Sequence, residues 1–154
     1  MERKIYLDLD RCIGCHSCSA ACYAHFGEFR INIAELEPEV ALPAACRQCE
    51  NALCLNACPT EALERKGDGR IERALFHCVG CLSCVIACPF GVMPPPLSFH
   101  VAQKCNYCPD LETGPRCVSA CPTGALRFIT RDELEKVETG IMISSRSPFF
   151  RRTR

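Results

Sequence analysis

The chain has 154 residues, sixteen of them cysteine, with 18 basic against 18 acidic side chains and 7% aromatic residues. Balanced charge excludes the basic surface that nucleic acid or an anionic membrane calls for, and no run approaches the roughly 20 apolar residues of a membrane helix. The apolar fraction reaches 48% only with cysteine included, which is thin for a core unless the thiols themselves fill the interior.

In chain order, residues 4–8 alternate as a strand does. Cys12, Cys15, Cys18 and Cys22 follow as C-x2-C-x2-C-x3-C, and Tyr23 comes next. Residues 29–33 form a candidate strand, then Pro38 and Pro43 punctuate the chain. The second group is Cys46, Cys49, Cys54 and Cys58, closed by Pro59. Residues 62–65 and 70–73 flank Lys66-Gly67-Asp68-Gly69 and predict a β-hairpin. Cys78, Cys81, Cys84 and Cys88 repeat the first spacing and are closed by Pro89. Pro94-Pro95-Pro96 precedes a candidate strand at 97–101. The fourth group, Cys105, Cys108, Cys117 and Cys121, is closed by Pro122, and 125–130 is again strand-like. Thr130-Arg131-Asp132-Glu133 carries a capping-box signature for a short helix through Leu134 and Val137, stopping at Gly140. In the tail, Phe149-Phe150 beside Arg146, Arg151, Arg152 and Arg154 fits either a solvated terminus or a docking segment. Equal proteolysis with and without a partner would rule docking out.

The spacing C-x2-C-x2-C-x3-C-P is that of two-cluster bacterial ferredoxins, in which the fourth cysteine serves the other cluster. Three closely spaced thiolates curl around one cuboidal core, while the fourth lies a helical turn further on and faces a neighbour. Proline then stops the helix. Gly14 and Gly80 suit a backbone passing close to an inorganic core. Structural zinc is the competing reading, since sixteen thiolates would fill four tetrahedral sites. Zinc asks for two pairs rather than a triad plus one, and leaves the proline endings unexplained. Disulfides need an oxidising compartment, and the charged, alternating N-terminus has no apolar signal region. The expected location is therefore cytoplasmic, with export on a partner's signal left open. Cys12-Ile13-Gly14-Cys15-His16 also matches the c-type haem motif, but both cysteines belong to the longer pattern. His25, His77 and His100 read as structural.

The expected fold class is α+β, with two ferredoxin-like dicluster modules, one inserted in the other. A hairpin between two cysteine groups completes a module, so groups two and three form an inserted module over 38–96. Groups one and four form the outer module over 1–37 and 97–130, and 131–154 is a helix and tail. Nesting predicts four ligand sets. The first is Cys12, Cys15, Cys18 and Cys121; the second is Cys22, Cys105, Cys108 and Cys117. The third is Cys46, Cys49, Cys54 and Cys88; the fourth is Cys58, Cys78, Cys81 and Cys84. The competing topology pairs groups one with two and three with four, and sends Cys58 to the cluster of Cys12.

The segments Cys46-Arg47-Gln48-Cys49, Cys58-Pro59-Thr60-Glu61-Ala62-Leu63, Lys104-Cys105-Asn106-Tyr107-Cys108 and Cys121-Pro122-Thr123-Gly124-Ala125-Leu126 resemble a known family. It comprises the four-cluster iron–sulfur subunits of molybdenum- or tungsten-pterin oxidoreductases, among them dimethyl-sulfoxide reductase, formate dehydrogenase and tungsten aldehyde oxidoreductase. The resemblance covers nearly all of residues 1–130, departs at Tyr23, where the family has proline, and implies the same nested pairing.

The expected function is electron transfer through four 4Fe–4S clusters, between a large pterin-containing catalytic subunit and a second redox subunit or carrier. Nothing in the chain supplies substrate chemistry: catalytic residues are none, and no dinucleotide fingerprint is present. The alternatives are a free polyferredoxin and a zinc-bound interaction module. Lys4, Arg11, Arg47 and Lys104 lie near motif starts, where they either tune cluster potentials or form a solvated face.

Overall fold

Short spacing between cysteines leaves little room for long elements. The computed structural model, which describes residues 3–37, 40–94 and 101–137, shows three antiparallel strand pairs, five short α-helices and one 3-10 turn at Leu75–His77 among them. The class is α+β.

The first pair joins distant ends of the chain. β1 (Lys4–Leu7) runs against β6 (Leu126–Ile129), with Lys4 opposite Ile129 and Leu7 opposite Leu126. The hairpin expected between groups two and three is present as β4 (Leu63–Arg65) and β5 (Ile71–Arg73). Its turn is held by Asp68, whose carboxylate accepts from the Arg70 amide, and by Gly69 at φ 85°.

The remaining pair departs from expectation. The strand expected at 29–33 lies at β2 (Asn32–Glu37) and pairs with β3 (Val40–Ala44), a hairpin the prolines had concealed. Pro43 sits inside β3, opposite Ile33. A two-stranded sheet tolerates it because each strand has one side free of ladder bonds. Residues 97–100 of the other candidate strand lie outside the described residues, as do Pro38, Gly140 and the arginine–phenylalanine tail.

The cysteine groups each carry one helix: α1 (Ser17–Phe26), α2 (Leu53–Asn56), α3 (Ser83–Ile86) and α4 (Arg116–Ser119). The last three are four residues long because proline follows the final cysteine, and each closes in the same turn. The amides of Glu61, Gly91 and Gly124 donate to the carbonyls of Cys58, Cys88 and Cys121. Group one has Tyr23 instead, and its helix continues to Phe26, ending at Gly27 with φ 68°. α5 (Arg131–Glu135) has the full capping box, Thr130 with Glu133. It stops at Lys136, short of the length expected.

The interior is divided. One buried cluster gathers Ala52, Leu63, Ile71, Cys84, Met93 and Ala102. The other gathers Cys18, Cys22, Ile31, Cys117 and Leu126. α2 packs on α3 and α1 on α4, so groups two and three lie together, as do groups one and four.

Candidate metal centres

Each cysteine group bends at the same place. The residue before the second cysteine is left-handed in all four: Gly14 at φ 64°, Gln48 at 47°, Gly80 at 71° and Tyr107 at 66°. His16 and Leu82, just before α1 and α3, are also left-handed. Alternating hands of backbone turn successive amides inward, the concavity that proteins use around anions and iron–sulfur cores. Amides donate to sulfur, among them Gln48 to Cys46 Sγ at 3.5 Å and Ala62 to Cys58 Sγ at 3.2 Å.

Three cavities have four cysteines each in their walls. Cys12, Cys15, Cys18 and Cys121 line one. Cys58, Cys78, Cys81 and Cys84 line another. Cys46, Cys49, Cys54 and Cys88 line a third, together with Lys104. Burial pushes the Cys117 thiol up, and the charges of Cys105, Cys22, Cys108 and Cys18 push it further. None of the sixteen cysteines is in a disulfide. Among the described residues, no three His, Cys, Asp or Glu side chains are gathered closely enough to hold a single metal ion.

The thiols differ by position. Burial pushes Cys18 up to about 11 and Cys105 up to about 12, the latter helped by the Cys46 charge. Cys15 and Cys81 are exposed and lowered, chiefly by the hydroxyls of Ser17 and Ser83. At Cys58 and Cys121 burial acts upward but is outweighed. Hydrogen bonds from Thr60 and its following amides lower Cys58; the Leu126 amide and Thr123 lower Cys121. Across groups, Cys54 acts on Cys84, Cys46 on Cys105 and Cys18 on Cys117. Thiolates this crowded and this buried need a cationic core to compensate them, and the residues present fit an iron–sulfur cluster.

Groups two and four meet through a reciprocal clasp. The Gln48 side-chain amide donates to the Cys105 carbonyl at 2.8 Å, and the Tyr107 hydroxyl donates to the Cys46 carbonyl at 2.6 Å. Gln48 also accepts from the Ile71 amide at 2.8 Å. Both residues are buried, and the bonds hold two non-glycine residues in a left-handed conformation that costs about 1–2 kcal/mol each. Their role escaped the sequence reading, although aligning the four groups on their second cysteine shows Gly, Gln, Gly and Tyr at one position. Of the four basic residues near motif starts, Arg11 is half exposed and sits 3.5 Å from Asp8, and Arg47 lies exposed over the Phe90 ring. Lys104 alone among them is buried. His25 pairs with Asp110 at 3.0 Å, and His77 is exposed.

A 4Fe–4S dicluster domain family matches residues 39–131, and a 4Fe–4S binding domain family matches residues 3–24. The chain is 39% identical over 153 residues to the putative electron transport protein YsaA of Escherichia coli (strain K12), covering 90% of this chain and 94% of that one. It is 35% identical over 165 residues to the electron transport protein HydN of the same strain, covering 89% and 93%. It is 41% identical over 145 residues to the thiosulfate reductase electron transfer subunit PhsB of Salmonella typhi, covering 83% and 76%. Three cysteine-lined cavities, amides turned toward sulfur and these matches together make this chain a member of the 4Fe–4S dicluster-domain family, an iron–sulfur electron-transfer protein.

Proposed function

We propose that the chain binds four 4Fe–4S clusters in the nested arrangement and serves as the electron-transfer subunit of a larger oxidoreductase. The observation that carries this is the composition of the cavity walls, each with cysteines from two groups. Cys121 joins the triad Cys12, Cys15 and Cys18, and Cys58 joins Cys78, Cys81 and Cys84. Cys88 likewise joins Cys46, Cys49 and Cys54. The fourth set is Cys22, Cys105, Cys108 and Cys117. Pairing the groups in sequence order would instead bring Cys58 to Cys12.

A bound 4Fe–4S cluster takes up and gives back one electron at a time, at a potential set by net charge, hydrogen bonds to sulfur and exposure. The chain's own residues supply those levers. Ser17, Ser83, Thr60 and Thr123 sit beside sulfurs at the outward sites. Tyr107, Gln48 and Lys104 keep water from the middle. The cross-group neighbours Cys84 with Cys54, Cys46 with Cys105, and Cys117 with Cys18 support a row running from the Cys58 set to the Cys12 set.

The partner we propose is a large molybdenum- or tungsten-pterin catalytic subunit, with a second redox subunit or carrier beyond it. The named relative PhsB, an electron transfer subunit of a thiosulfate reductase, supports a reductase-type complex. No described helix is long and apolar enough to cross a membrane; a cytoplasmic site of action is part of the proposal.

Anaerobic purification with iron and acid-labile sulfide analysis tests the count, which should be about 16 of each per chain. About four zinc ions in their place would overturn it. Cys58→Ser should alter the EPR signal of the cluster bound by Cys78; a change in the cluster of Cys12 refutes nesting. Co-purification of a pterin-containing subunit tests the partner.

A further inference from the structure

Lys104 is a lysine in an unusual place. It is 3% exposed, with Nζ 3.0 Å from Cys46 Sγ and 3.5 Å from the Cys105 carbonyl oxygen. Among the described residues no carboxylate forms an ion pair with it. Lysine is almost never fully buried unless its charge is compensated. The compensation available here is the sulfur-bearing site itself, because Lys104 shares a cavity wall with Cys46, Cys49, Cys54 and Cys88. Cys46 and Cys105, the two residues it contacts, belong to adjacent proposed sets.

We infer that Lys104 is a positioning residue that raises the reduction potential of the cluster held by Cys46, Cys49, Cys54 and Cys88, by donating a charged hydrogen bond to Cys46 Sγ at the junction between two cluster sites. This rests on the cluster-binding reading proposed above. Four thiolates around a core of about +2 leave about −2 on the oxidised site and about −3 after one electron. A fixed positive charge at hydrogen-bond distance stabilises the second state more than the first, and burial keeps water and salt from screening it. Arg11 and Arg47 lack this leverage, because one faces Asp8 and the other lies exposed. The clasp holds the geometry. Tyr107 grips the Cys46 carbonyl, Gln48 grips the Cys105 carbonyl, and Lys104 spans the same two residues.

The test is an EPR-monitored redox titration of the full-length holoprotein, with dithionite as reductant, for wild type, Lys104→Met and Lys104→Arg. The expected result is that Met lowers one of the four midpoints by a tenfold loss in the equilibrium constant for reduction, 59 mV for one electron. Arg, which keeps the charge, should return most of it. Unchanged midpoints in a Met variant with full iron and sulfide overturn the inference. Hyperfine spectroscopy on wild-type holoprotein labelled with 15N-lysine gives a second measurement that depends on no variant. The chain has four lysines, and one reduced cluster should couple to a lysine nitrogen. No such coupling overturns the inference even if the Met variant fails to assemble. Missing iron and sulfide in the wild type would instead sink the cluster reading beneath it.

Discussion

Groups one and three share one spacing and face outward, whereas groups two and four have widened spacings and face each other. In the first pair, glycine occupies the left-handed position, Cys15 and Cys81 are exposed, and Ile13 and Val79 are each 67% exposed. In the second pair, that position is taken by Gln48 and Tyr107, both buried and bonded across to the opposite group. One backbone bend is thus supported in two ways. Glycine adopts it without steric penalty where the flanking side chains are exposed. Where the loop is buried, a large side chain makes tertiary contacts that outweigh the strain.

The strongest way to break this comparison is Tyr107→Ala set against Val79→Ala. Tyr107 loses its bond to Cys46 and its edge-on contact with Phe128, whose ring lies 5.4 Å away. The expected loss is about 3–5 kcal/mol, read as a fall in the denaturant midpoint for bleaching of the visible cluster absorbance. Val79→Ala should stay within about 0.5 kcal/mol. Equal losses would mean that inward and outward groups are equivalent.

Tyr23→Pro tests why group one differs from the other three. Tyr23 lies inside α1, so proline removes a helical hydrogen bond and should cost about 3 kcal/mol. Helical circular dichroism should fall as the turn after Cys22 is lost. An unchanged spectrum would show that the missing proline does not set the length of α1.

Gln48→Ala sharpens the comparison at the clasp. It leaves the Ile71 amide without its acceptor and removes the shorter of two bonds to the Cys105 carbonyl, the other coming from Lys104, at a cost of about 2 kcal/mol. Hydrogen exchange at Ile71 should accelerate while β1 and β6 keep their protection. If both sheets lose protection together, the clasp holds the whole molecule rather than the junction.

The smallest effect belongs outside the cysteine groups. Thr130→Ala removes the α5 cap and should cost about 1 kcal/mol. Glu133, the other half of the box, is held below its ordinary 4.5, first by the Thr130 amide. Its contribution is therefore present above that ordinary value and is lost as pH falls through the depressed one. Protection of α5 should follow that window in wild type and lose the dependence in Glu133→Gln.

The four cysteine groups were legible because thiol spacing is a local constraint. The hairpin at 63–73, the β1 and β6 strands and the α5 capping box followed from alternation, turn glycines and one hydroxyl–carboxylate pair. The β2–β3 hairpin was not legible, because Pro43 reads as a breaker unless the strand is known to have a free side. Nor was Lys104, which resembles Arg11 and Arg47 in sequence and differs only in what covers it.

What the sequence by itself determined is the chemistry: sixteen thiols in four groups, three closed by proline, in a chain with too little other apolar matter to form a core without them. Spacing of two to eight residues limits where a backbone can go, so those features survive any tertiary arrangement. Only the tertiary structure decided which groups face one another and which cation is sealed between them. The Gln48–Cys105 and Tyr107–Cys46 bonds span 57 and 61 residues. Closing loops of that length depends on the packing of the whole chain, which no local pattern encodes.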